Sequence, residues 1–156
     1  MRWMGPVLSV SGPVTDMVTM PLCCGTGGER ITKHNVLRDH LHQLAASAAL
    51  SPTKDSRFFL PGQDRRPADV FIPSWAGGMD AALDIMVVNP LQSALVDGAA
   101  VTPGHALDYR FRTKVAGAAE DCRKEEIKFL PIVMETLGGW HRDAEKQVKK
   151  LAAAKA

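Results

Sequence analysis

The chain has 156 residues, 46% of them hydrophobic and 23% charged, and 19 basic against 17 acidic side chains leave a net charge of +2. That is the size and composition of one compact soluble domain with a single core. No apolar run approaches the roughly 20 residues of a membrane-spanning helix, and a basic excess this small does not by itself call for nucleic acid.

The opening MRWMGPVLSVSG has one basic residue, Pro6 interrupts its apolar run and Asp16 follows soon after, so it makes a poor secretory signal. Three cysteines, Cys23, Cys24 and Cys122, are an odd number without CxxC spacing. They argue against a disulfide framework and a complete zinc site and for a reducing, intracellular compartment. The basic clusters DRR at 64–66 and KQVKK at 146–150 read as solvated surface.

Residues 1–28 show little periodicity and end in the Gly-rich connector CCGTGGE, an irregular N-terminal remnant. From Glu29 the pattern changes. His34, Leu37, Leu41, Leu44 and Ala48 recur at spacings of 3, 4, 3 and 4, which predicts a helix with one apolar face that stops near Pro52. RFFLPG reads as a strand and turn, and ADVFI and ALDIMVV as two further strands that reverse through PSWAGGMD, giving a three-strand meander. After NPLQSALVDGAAVTPGH a second helix is expected from about Ala106 to Cys122, with Leu107, Phe111, Val115, Ala118 and Cys122 on or near one face. IKFLPIVMET is a fourth strand, and GGWHRDAEKQVKKLAAAKA a turn into an Ala- and Lys-rich helix with a solvated outer face. There are no internal repeats or heptads.

Two of these strands each carry an aspartate in an apolar setting, where an unpaired carboxylate is costly to desolvate. Asp69 and Asp84 stand 15 residues apart, so a hairpin symmetric about the Ala76–Gly77 bond places them directly opposite each other. Opposed side chains share a face with Cβ atoms about 4.5–5.5 Å apart, and two like charges there repel unless a cation such as Mg²⁺ lies between them. A register change of one residue would remove the argument. The alternative is structural: Asp69 begins its strand at the surface, and Asp84 caps a loop or pairs with an arginine such as Arg66.

The blocks GERITKHNVLRDHL, RRPADVFIPSW, AALDIMVVNPLQ, GHALDYRFRTK and FLPIVMETLGGW, in this order, resemble the C-terminal segment of retrotransposon reverse transcriptase proteins, where a restriction-endonuclease-like domain follows the polymerase. The resemblance runs from about Gly28 to Leu151, so the domain is placed at 29–151 with a short tail at 152–156. It implies an α/β fold with the α-β-β-β-α-β core of PD-(D/E)XK nucleases, a central mixed sheet flanked by helices, plus a C-terminal helix. It also implies divalent-metal-dependent phosphodiester hydrolysis, the nicking of DNA.

Residue by residue, the resemblance makes Asp69 the aspartate of the PD element, with Ala68 intervening after Pro67, and Asp84 the second acid; the two would hold Mg²⁺ or Mn²⁺. The lysine usual two positions later is replaced by Met86, and Lys114 in RFRTK matches the lysine that some members supply from the following helix. His34 and Asn35 match the family's HN pair and would border the site, although a histidine on an apolar stripe can equally be structural. Glu135 precedes the Gly138-Gly139 turn and reads as structural rather than catalytic. A catalytically silent descendant would bind nucleic acid through Arg65, Arg66, Arg110, Arg112 and Lys114, and a structural or interaction domain is a third reading.

The expected partners are DNA and, in a full-length ancestor, a polymerase domain, with no membrane. No Y-x-D-D motif occurs and the chain is too short for a polymerase palm, so reverse transcription is not expected of it. The Cys/His zinc knuckle of related proteins is reduced to LCC, which makes the chain look like a fragment of an element; a zinc site from Cys23, Cys24 and His34 would lack a fourth ligand.

Overall fold

A computed structural model describes residues 28–55 and 68–154. Its elements are α1 (Gly28–Ser47), β1 (Thr53–Lys54), β2 (Val70–Ala76), β3 (Met79–Val88), α2 (Val96–Val101), α3 (His105–Lys124), β4 (Ile127–Glu135) and α4 (Arg142–Ala153). The strands form one mixed sheet in the order β1-β2-β3-β4, antiparallel except for the parallel β3–β4 pair. A parallel pair needs a long crossover, and α2 and α3 supply it. The protein is therefore α/β, a four-stranded mixed sheet flanked by helices.

Alternation along the strands sorts the core onto two faces. Val70, Ile72, Leu83, Ile85, Leu130 and Ile132 pack against Leu41 and Ala45 of α1 and Ala144 and Leu151 of α4. On the other face Ala82 and Phe129 meet Cys122, and Val88 and Val133 meet Leu107 and Phe111 of α3. A fully buried Val, Leu or Ile contributes about 1.5–3 kcal/mol, so both helical layers are held by the hydrophobic effect. Pro131 has no N–H for a ladder and is tolerated because β4 is an edge strand.

The expected register of β2 and β3 is present, but it arises differently. The turn is Gly77-Gly78, at φ +65° and +82°, not a reversal about the Ala76–Gly77 bond. Between the Ile72↔Ala81 and Ala76↔Met79 pairs β2 carries two extra residues, an irregularity with Ser74 at φ +51° whose N–H donates to Asp80 Oδ1 at 2.9 Å. The irregularity offsets the shifted turn and restores Val70↔Leu83.

Other expectations are corrected. The first helix ends at Ser47, well before Pro52, and Ala48 lies in the turn beyond it; Ala45 takes the buried position instead. Val115 is 37% exposed, because the inward stripe of α3 passes through Lys114. The short helix α2 was not anticipated. The strand that completes the meander is Thr53–Lys54; RFFLPG lies outside the described residues, as do residues 1–27, Arg65 and Arg66. Among the described residues no helix is long and apolar enough to cross a membrane.

Candidate active site

Asp69 stands one residue before β2, and its N–H donates at 2.9 Å to Leu83 O, the carbonyl of the residue already paired with Val70. Its carboxylate also binds β3: Oδ2 accepts the Ile85 N–H at 2.6 Å. The β2–β3 register ends at Val70↔Leu83, one residue short of Asp69; Asp84, the next residue of β3, lies near enough for the two carboxylates to repel and is paired on its other side with Pro131. Two acids thus come together where β2 begins, the second of them beside a buried proline.

Each carboxylate meets a basic side chain. Lys114 Nζ lies 2.8 Å from Asp84 Oδ1 and 2.8 Å from Oδ2. Lys114 comes from α3 and is itself mostly covered, its stem packed along the helix while its ammonium reaches the sheet. His34 Nε2 of α1 lies 3.2 Å from Asp69 Oδ2. The other ring nitrogen, Nδ1, lies 3.4 Å from Asn35 Oδ1. The sequence reading thus brought together Asp69, Asp84, Lys114, His34 and Asn35, and all five fall in one cluster where β2 gives out beside β3.

The electrostatics follow from this placement. Hydrogen bonding to Asp69 raises the His34 imidazole above its ordinary 6.5, with Coulombic attraction to the same carboxylate and the Asn35 contact adding to it against the opposing effect of burial. Burial pushes Asp69 up, but the hydrogen bonds from His34 and the Ile85 N–H, together with the charges of His34 and Lys114, hold it below its ordinary value. Asp84 goes the other way. Its burial beside Pro131, aided by the Asp69 charge, lifts it above the ordinary carboxylate value despite Lys114. An ammonium donating to both oxygens still requires the ionised form there. Neighbouring acids whose surroundings drive them apart are the pattern of sites that divide acid and base roles.

Other expected residues stand elsewhere. Glu135 belongs to the β4 turn: its N–H donates to Gly139 O at 2.7 Å and its carbonyl accepts from Gly138 N at 3.0 Å. Arg110 is half-buried and donates from Nη2 to Gln92 Oε1 at 3.1 Å, while Arg112 is exposed with its Nε on Asp108 O at 3.2 Å. Neither touches the carboxylate pair. Sequence reasoning missed His141, which is only 6% exposed, stacks on Phe111 with ring centroids 3.8 Å apart, contacts Asp108 Oδ1 through Nε2 at 3.2 Å and accepts the Asp143 N–H to cap α4. Its position just before the Asp- and Glu-rich start of a helix was the available signal.

No protein-family model matches the chain, and no curated protein matches it.

Proposed function

We propose that the chain is a retrotransposon-type endonuclease domain of the restriction-endonuclease-like fold, which hydrolyses a DNA phosphodiester with a divalent cation. The observation that supports this reading is the neighbouring Asp69 and Asp84 with Lys114 on the second acid. Among the described residues no cluster of three or more His, Cys, Asp or Glu side chains is set to hold a metal ion. A cation here would rest on two carboxylates and water, the ligand set usual for Mg²⁺, and Mn²⁺ suits the same oxygens. When bound it would polarise the phosphate and acidify a water.

The chain's own residues have separate tasks in this proposal. Asp69 is fixed by His34 and the Ile85 N–H, so its carboxylate is oriented before any ligand arrives. Asp84, less content as an anion, gains most from a second positive charge. Lys114 offsets the charge that grows on the phosphate oxygens in the transition state, and its placement on α3 stands in for the lysine that Met86 displaces from β3.

A second reading has its own observation. Each acid already has a cationic partner within 3.2 Å, so the four side chains can serve as a self-neutralised structural network in a silent nucleic-acid-binding descendant. Nicking of supercoiled plasmid separates the two. The endonuclease reading expects open circles from the wild type with Mg²⁺ or Mn²⁺ and none from Asp69→Ala or Asp84→Ala; folded wild type that leaves the plasmid intact would overturn it.

A further inference from the structure

A groove of about 240 Å³ opens directly beside the Asp69–His34 pair, lined by Arg30, Ile31, His34, Ile85, Met86 and Val87. It begins where β2 stops covering β3: Ile85, whose N–H binds Asp69, forms its floor. Arg30 and His34 are four residues apart on α1 and so lie on one face of that helix. Ile31 is 57% exposed, an apolar side chain presented to solvent next to a cation.

From this geometry we infer that the groove is a binding site for one unpaired nucleotide next to the phosphate to be cut, so the preferred substrate carries a single-stranded stretch rather than being a continuous duplex; the inference rests on the hydrolytic reading above. The volume falls below the roughly 300–1,000 Å³ of pockets for drug-sized ligands and suits the base and sugar of one nucleotide. Arg30 supplies the phosphate contact. Ile31 supplies an apolar contact for a base face, which a duplex keeps stacked inside and a single strand can offer; Met86 borders the groove along the strand edge, its side chain packed toward α3.

The local charge agrees with a polyanion approaching here. Asp69 and Asp84 are offset by His34 and Lys114 within contact distance, which leaves Arg30 as a positive charge on the groove side.

The test is a titration of the full chain, labelled for amide NMR and kept in EDTA, with a short oligothymidylate and, separately, a blunt duplex. The site predicts shifts at Arg30, Ile31, Met86 and Val87 with the single strand and much smaller ones with the duplex. Arg30→Gln and Ile31→Ser, both changes of exposed side chains, should each weaken single-strand binding roughly three- to tenfold, and only Arg30→Gln should lower the salt dependence, by about 0.7 in log–log slope. Shifts confined to other surfaces, equal binding of duplex, or unchanged affinity in both variants would overturn the inference. Wild type that nicks plasmid without these shifts sinks the groove alone; groove binding by a chain that does not nick sinks the hydrolytic reading alone.

Discussion

His34 and Lys114 stand on helices packed against opposite faces of the sheet, yet they reach neighbouring acids, Asp69 Oδ2 at 3.2 Å and Asp84 at 2.8 Å. They can do so because β2 begins at Val70 and leaves β3 running on beyond it, so a side chain from either layer can approach the strand plane. The cluster is therefore tied to both helical layers, and changes in it should be felt in stability as well as in chemistry.

Asp84→Asn removes a charge and little volume. Burial and the Asp69 charge hold the Asp84 carboxyl above its ordinary value, so the neutral amide should keep the melting temperature unchanged or raise it slightly, while Lys114 turns its ammonium toward solvent. Nicking should be lost. Thermal melts beside plasmid assays check both, and a large fall in melting temperature would mean that the Lys114 pair is needed for the fold.

Lys114→Met should destabilise by about 1–3 kcal/mol at pH 7, less than a fully buried pair because both partners keep some exposure. The deficit should shrink as pH falls through the raised pKa of Asp84, since a protonated carboxyl no longer requires a cation. Adding Asp84→Asn to the variant should recover most of the loss, and a double-mutant cycle in urea measures the coupling.

The His34–Asp69 pair gives a pH window. A folded-state imidazole pKa above 6.5 contributes stability that is fully present below 6.5 and is lost as pH rises through the folded value; a lowered Asp69 contributes stability that is present above 3.8 and is lost as pH falls. The stabilisation of wild type over His34→Gln should thus be largest between these limits, about 0.5–1.5 kcal/mol near pH 6, and smaller at pH 9. NMR titration of the His34 ring should give a midpoint above 6.5 that drops in Asp69→Asn.

How much of this was readable before folding depends on which signals are local. The nearness of Asp69 and Asp84 was legible because Val70 to Ile72 pair with β3 in the register a symmetric hairpin gives, although the pairing stops one residue short of Asp69. The means was not: two left-handed glycines and a two-residue irregularity at Ser74 jointly restore a register that simple symmetry assumed. Lys114 was legible as one turn beyond Phe111, but Val115 competed for the inward position, and only the depth of Asp84 decides between them. His34 looked like one more residue of an apolar stripe. Its contact with Asp69 depends on where α1 crosses the sheet, which no local pattern encodes. Arg110 looked like a free phosphate contact until the loop carrying Gln92 came alongside.

The irregularity itself can be tested. Asp80→Ala removes the acceptor of the Ser74 N–H and should cost about 1 kcal/mol. If that bond helps set the register, amide exchange should quicken at the β2–β3 ladder, and any metal-dependent cleavage should fall although no residue of the cluster has changed.

His141→Ala should be the most destabilising of these substitutions, about 2–4 kcal/mol, because it removes the stack on Phe111, the contact to Asp108 and the cap of α4 together. Its effect on nicking, measured well below the melting temperature, should be small.

In the proposed endonuclease, Asp69 and Asp84 together form a cation site. Titration of Mn²⁺ into the wild type, followed by calorimetry or by the loss of the free-ion EPR signal, tests it most directly when Asp69→Asn and Asp84→Asn are run in parallel. The wild type should bind Mn²⁺ at one site that either substitution weakens at least tenfold. Wild type that binds no Mn²⁺, or binds it no better than the two variants, would contradict the claim and leave the cluster as a structural ion-pair network.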